Sequence, residues 1–318
     1  MHNSSFADLE LSQLMLGTVQ FGFNYGINNK SGQPSYEQAR DILAAAHEGG
    51  VNCLDTAASY GDSERVIGQA LEELGLRDEF VVVTKSLPIS NDVSQGDADT
   101  LVEESVLTSL RLLRLEVLPL CLFHTEATYR YMDSLLKMKQ KGLVRHVGVS
   151  CVNPETTQQI IAEGQAEAMQ LPTNILDRRF SATGAFDAAK ERGVALFIRS
   201  VFLQGLLMMR DEEVLPELSA VLPTLGRLRA IAQQAGLTMQ ELAVRYVLGL
   251  PGVTCVLTGV ESVEQVRQNT RLFDNGPLAP DLMQAVTDAV PDLSENIIKP
   301  YQWSSKVPDE MFKRRAPA

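Results

Sequence analysis

Asp55 and Tyr60 stand five positions apart in the stretch VNCLDTAASY, residues 51–60. Val51, Cys53 and Leu54 suit a short strand covered on both faces. Asp55 therefore falls where that strand ends, and Tyr60 in the loop before Gly61. A carboxylate at the carboxyl end of a strand, with a phenol just beyond it, supplies two titratable groups for acid–base work. The same stretch also reads as a loop with a capping Asp and a packed Tyr. Two further titratable groups follow apolar runs in the same way, Lys85 after 80–83 and His124 after 117–123. Taken singly, such a lysine is usually solvated and such a histidine usually a packing residue. The question is whether the chain brings the four together.

The elements that would do so alternate along the chain. Apolar runs at 14–16, 51–54, 80–83, 117–123, 144–149, 166–171, 194–198 and 253–257 read as strands. Each is followed by an amphipathic helix, at 36–47, 63–74, 100–113, 129–141, 154–163, 182–192, 238–248 and 262–272. Ser35 with Gln38 forms a capping box at the first helix, and Gly75, Gly142 and Gly193 stand where three others stop. A polar loop covers 20–34, and a helical insert with a proline break covers 212–235. Eight such units in 318 residues imply an α/β fold, a closed (β/α)8 TIM barrel. No GxGxxG follows the first strand, which removes the main sequence support for a Rossmann domain. The expectation is a single domain over 1–318, with the barrel core at about 14–273 and an N-terminal extension. A Pro-rich C-terminal tail, 277–318, holds the only Trp, Trp303, and is expected over the barrel mouth.

Composition narrows the function. The formal net charge is -12, which argues against a sequence-independent grip on nucleic acid or on an anionic membrane. No apolar run reaches the length of a membrane span, and the N-terminus lacks the basic-then-apolar pattern of a signal peptide. Four cysteines, Cys53, Cys121, Cys151 and Cys255, are scattered without CxxC spacing. They read as reduced thiols in a cytoplasmic protein with no metal site.

In a closed barrel, catalytic groups sit at the carboxyl ends of different strands around one mouth. Asp55 and Tyr60, Lys85 and His124 then converge from three adjacent strands. At this point the chain resembles the aldo-keto reductase superfamily. The motifs are Leu16-Gly17-Thr18, Asp55-Thr56-Ala57, Ser59-Tyr60-Gly61, Ser63-Glu64, Thr84-Lys85 and Phe123-His124. Further on come Val147-Gly148-Val149-Ser150, Gln170 with Asn174, Arg199-Ser200 through Gln204-Gly205-Leu206-Leu207, and Gly259 with Gln265 and Asn269. They run in the family's order from about residue 14 to 269.

The resemblance implies roles. Tyr60 would be the general acid that protonates the alkoxide left after hydride transfer to a carbonyl carbon. Lys85 would lower the phenol's pKa from its usual value of about 10. Asp55 would hold Lys85 charged, and His124 would donate to or position the carbonyl oxygen. Ser150 and Gln170 would hydrogen-bond the nicotinamide carboxamide, with Gly17, Thr18 and Asp55 on the nicotinamide side and Asn174 in support. Ser200, Phe202, Leu203 and Gly205 fall where the family's loop covers the pyrophosphate. Gly259, Glu261, Gln265 and Asn269 fall on the adenosine side, at the start of the last barrel helix, where a helix N-terminus suits a phosphate.

Three positions depart from the family's pattern. Cys151 follows Ser150 where Asn or Arg is frequent. Arg199 stands where many members place an aromatic residue that stacks on the nicotinamide. A planar guanidinium could stack, pair with an anionic substrate group, or salt-bridge a nearby acid. Glu261 would repel a 2′-phosphate and could accept from a ribose 2′-hydroxyl, with Arg267 one to two turns on to compensate. NADPH is the family default, and Glu261 makes NADH the other expectation.

The implied function is NAD(P)H-dependent reduction of a small-molecule aldehyde or ketone to an alcohol. The alternative is a cofactor-binding regulatory or redox-sensing protein of the same fold with little turnover. A non-redox barrel enzyme, a lyase or isomerase, would leave the signals from Ser150 to Asn269 without a use. Phe21, Phe23, Tyr25 and Trp303 are candidate pocket walls. Asn24, Asn28 and Asn29 favour a sugar or hydroxylated aldehyde.

Overall fold

The structure, a computed structural model, describes residues 1–25 and 32–303. Asn28, Asn29 and the last part of the tail, 304–318, lie outside the described residues. Among the described residues there are ten strands. The first two, β1 (Asn3–Phe6) and β2 (Leu9–Ser12), form an antiparallel hairpin. The others are β3 (Leu14–Gly17), β4 (Cys53–Asp55), β5 (Val81–Lys85), β6 (Leu118–Phe123), β7 (Val144–Ser150), β8 (Ala168–Pro172), β9 (Ala195–Arg199) and β10 (Val253–Gly259). These eight pair in parallel and close into a barrel in the order β10-β3-β4-β5-β6-β7-β8-β9. The (β/α)8 architecture expected from the alternation is therefore what the chain adopts.

Helices cover the barrel. They are α1 (Tyr36–Glu48), α2 (Ser63–Leu74), α3 (Gln95–Leu113), α4 (Met132–Gln140), α5 (Pro154–Glu163), α6 (Arg179–Ala182), α7 (Ala185–Arg192), α8 (Leu222–Gln234), α9 (Met239–Leu248), α10 (Val263–Leu272), α11 (Pro280–Ala289) and α12 (Glu295–Ile298). The capping box at Ser35 and Gln38 is present. Two helices differ from expectation. α3 begins at Gln95, five residues before 100, because the Ser94 side chain caps it by accepting from Asp97 N. The helix expected over 182–192 is two helices, α6 and α7, separated at Gly184, which sits at φ 76°.

Side-chain alternation sorts the barrel into two cores. Met15, Cys53, Val83, Leu120, Leu122, Ala168, Ala195, Phe197, Cys255 and Leu257 point inward and pack on one another. Their strand neighbours, such as Leu14, Leu16, Leu54, Val82, Leu196 and Ile198, point outward and pack under the helices. Phe6, Leu9 and Leu11 of the hairpin join the inward set and close the amino-terminal end of the barrel. Asp8 in the hairpin turn fastens it there, pairing with Arg145 at 3.0 Å and with His146 Nε2 at 2.7 Å. The sequence pattern implies only an N-terminal extension here; the hairpin is in addition a plug. The four cysteines are buried free thiols. No helix among the described residues is long and apolar enough to cross a membrane.

Candidate active site

The alternation that builds the inner core also decides what faces the mouth. Two residues beyond Cys53, Val83 and Phe197, on the same face, stand Asp55, Lys85 and Arg199. On β7 and β8, Ser150 is paired with Gln170. Gly17 of β3 is paired with Asp55 on one side and with Gly259 on the other. The carboxyl ends of the strands thus present one ring of polar groups above an apolar plug.

Within that ring, Lys85 is fully buried and Asp55 nearly so. Lys85 Nζ donates to Asp55 Oδ1 at 2.6 Å and to the Thr56 carbonyl at 2.8 Å. Asp55 Oδ1 also accepts from Gln170 Nε2 at 2.6 Å. The Lys85 ammonium lies 5.1 Å from the centre of the Tyr60 ring. His124 meets that ring edge-on, with centroids 5.6 Å apart and planes at 76°. Ser59 Oγ is 3.0 Å from His124 Nδ1. The structure therefore brings together all four residues singled out by chemistry.

Burial dominates their electrostatics. It lowers the Lys85 pKa, against the pull of Asp55. Burial, helped by the charges of Lys85 and Arg199, lowers His124 to about 3, so its ring is neutral. Tyr60 corrects the expectation. Its pKa is raised well above the usual value, first by burial and then by the Asp55 charge. The physical reason is that the phenol is buried, where a phenolate is poorly solvated, and that the Asp55 carboxylate beside it further disfavours a second negative charge. Tyr60 is held as a neutral phenol.

Other residues position the loop that carries Tyr60. Gly22 packs so closely that a Cβ there would lie 1.8 Å from the Tyr60 carbonyl oxygen. Gly61, at φ 55°, returns the contact against the Gly22 carbonyl. Thr18 Oγ1 donates to the Asp55 carbonyl at 2.8 Å and meets Ser63 Oγ at 2.9 Å. Gly22 and Ser59 were not singled out as functional from sequence. Their only signal was a glycine in a polar loop and a serine inside the Ser59-Tyr60-Gly61 triplet.

The remaining sequence candidates divide. Ser150 and Gln170 face the mouth, although the Gln170 amide is engaged by Asp55. Asn174 is a loop organiser: its Oδ1 accepts from Leu176 N and Asp177 N, and its Nδ2 donates to the Ser200 carbonyl. Ser200, Leu203, Gln204 and Gly205 all have positive φ, at 65°, 46°, 51° and 93°. Three of these are not glycine, so the segment is strained. Phe202, between them, is half-buried. Gln265 Oε1 accepts from Glu261 N at 2.6 Å, and Asn269 Nδ2 donates to Thr258 Oγ1. Arg267 is exposed and, among the described residues, forms no ion pair with Glu261. Phe21 and Trp303 are buried in the outer core, and Trp303 donates to the Asn296 carbonyl, so neither is placed as a pocket wall. The described part of the tail packs on α8 and on Arg178, which donates to the carbonyls of Thr287 and Val290.

Polar groups above the strands fit a dinucleotide. Thr173 Oγ1, at the top of β8, and Gln20 Oε1, whose side chain lies on Gly259, are buried with no hydrogen-bond partner among the described residues. In the strained segment, Leu203 N and Gly205 N donate to the carbonyls of Ser200 and Phe202, both at 2.9 Å, which folds 200–205 into two tight turns.

The profile of the aldo/keto reductase family matches residues 13–291. The chain belongs to the aldo/keto reductase family. It is an NAD(P)H-dependent oxidoreductase of that family. The NADH-specific methylglyoxal reductase of Escherichia coli (strain K12) is 24% identical over 82% of this chain and 90% of its own. The L-glyceraldehyde 3-phosphate reductase of Escherichia coli O157:H7 is 26% identical over 91% of this chain and 92% of its own. Among solved structures, the holo form of an aldo-keto reductase from Bacillus halodurans superimposes with a TM-score of 0.75. It covers 94% of this chain and 100% of its own at 24% identity, which speaks to the fold.

Proposed function

We propose that this reductase converts a small aldehyde or ketone into an alcohol, with Tyr60 as proton donor and NADH as the preferred cofactor. The observation that carries the reading is the buried Asp55–Lys85 pair set under the Tyr60 ring, with neutral His124 at the ring's edge. A phenol kept protonated at neutral pH has its proton ready for an oxygen that becomes basic only during reaction. The Lys85 ammonium then stabilises the phenolate that forms, and Asp55 keeps Lys85 fixed and charged. Ser59 holds His124 Nδ1 and so fixes the ring that would address the carbonyl oxygen. Bound reduced nicotinamide supplies the hydride to the carbonyl carbon.

Ser150, Gln170 and Thr173 would hold the nicotinamide end, with Gly17, Thr18 and Asp55 beside it. Ser200, Phe202, Leu203 and Gly205 would cover the pyrophosphate, and Gly259, Glu261, Gln265 and Asn269 the adenosine. Glu261, without a basic partner among the described residues, supports NADH over NADPH. The name of the NADH-specific relative points the same way. The names of both relatives support short oxygenated carbonyl compounds as the substrate class. Steady-state oxidation of NADH and NADPH with a panel of short aldehydes and hydroxyaldehydes tests this. Cofactor binding without turnover across the panel would instead support a cofactor-sensing role.

A further inference from the structure

Only four of the strand residues in the barrel are Lys, Arg, Asp or Glu: Asp55, Lys85, Arg145 and Arg199. Arg145 is at the floor, paired with Asp8. Asp55 and Lys85 neutralise one another at 2.6 Å, and His124 is neutral. Arg199 remains. It ends β9 on the inward face, two residues beyond Phe197 of the inner core and paired with Pro172. It is half-buried, and among the described residues no carboxylate lies within ion-pair distance of its guanidinium. Its charge bears on Tyr60, Lys85 and His124 alike, which sets it close to where the carbonyl would be reduced. A partly dehydrated guanidinium with no acid beside it has a planar fork of donors matched to a carboxylate or phosphate.

Building on the reductase reading, we infer that Arg199 is a specificity residue that selects carbonyl substrates carrying a carboxylate or phosphate a few atoms from the reacting carbon. The chain as a whole carries a net charge of -12 and repels anions. A cation at the mouth that no acid answers among the described residues therefore singles out an anion of the right length rather than gathering anions in general.

The test compares matched pairs: succinic semialdehyde against butanal for a carboxylate, and glyceraldehyde 3-phosphate against glyceraldehyde for a phosphate. In the wild-type protein, kcat/KM favours the charged member of at least one pair by about tenfold or more. The pair with the larger ratio names the anion. In Arg199→Met that ratio collapses toward one, chiefly through KM, and Arg199→Lys restores part of it. Ratios near one in the wild type, or unchanged in Arg199→Met, overturn the inference. So does a weaker Kd for NADH, read by fluorescence, with the ratio intact, because it places the guanidinium on the cofactor. If no aldehyde is turned over, the reductase reading fails separately. Calorimetric binding of butyrate against butyramide to the NADH-loaded protein then decides for Arg199, and equal affinities overturn the subsite.

Discussion

Lys85 Nζ lies 2.6 Å from Asp55 Oδ1, and the two form the only ion pair among the described residues in which both side chains are buried. Removing one partner leaves the other charge without compensation in an apolar barrel. Lys85→Met and Asp55→Asn are each expected to lower unfolding free energy by about 3–5 kcal/mol. The double substitution should cost less than the sum of the two. Urea denaturation of the four proteins measures the coupling, and strict additivity would contradict it.

Tyr60→Phe removes the proposed proton donor and keeps the ring that packs on Lys85 and His124. Turnover should fall about 100- to 10,000-fold. The Kd for NADH should stay within about a factor of three, since uniform binding is untouched. Near-normal carbonyl reduction by this variant would remove Tyr60 from the mechanism.

His124 has a pKa of about 3 against an ordinary 6.5. The pH profile of kcat/KM should therefore show no inflection between about pH 5 and 8 from this ring. The same shift has a stability consequence. Below pH 6.5 the unfolded chain takes up a proton at this histidine and the folded chain does not, so folding weakens as pH falls. The slope attributable to one proton is at most about 1.4 kcal/mol per pH unit. Comparing wild type with His124→Asn between about pH 6.5 and 4 isolates it, and parallel curves would refute it.

Glu261 opens the turn before α10 with its backbone N–H held by Gln265 and no basic partner among the described residues. A carboxylate a few ångströms from a 2′-phosphate costs about 1 kcal/mol in a water-like medium, or roughly fivefold in affinity. NADH should bind more tightly than NADPH by at least that factor. Glu261→Arg should narrow or reverse the preference, and titration of both reduced cofactors reads it directly.

Much of this could be read from residue order, for identifiable reasons. Strands buried on both faces are short continuous apolar runs, so β4, β5 and β6 were visible and Asp55, Lys85 and His124 could be seen to follow them. The hairpin was not visible. Its strands have four residues each and carry Ser and Glu, and they are ordered by the barrel floor they close. The contact of Gly22 with the Tyr60 backbone joins two loops, so no local pattern marks it. The direction of the Tyr60 shift depends on how deeply the phenol is buried and on how near it stands to the Asp55 charge. Both are tertiary facts. Arg199 was legible as an unusual residue, but whether an acid answered it could be seen only in three dimensions.

The hairpin at the floor separates two kinds of surface on one molecule. A tether fixed at the Ala7–Asp8 turn would anchor the protein by the pole opposite its chemistry. Chains immobilised in that way would face their openings outward to the bulk solution.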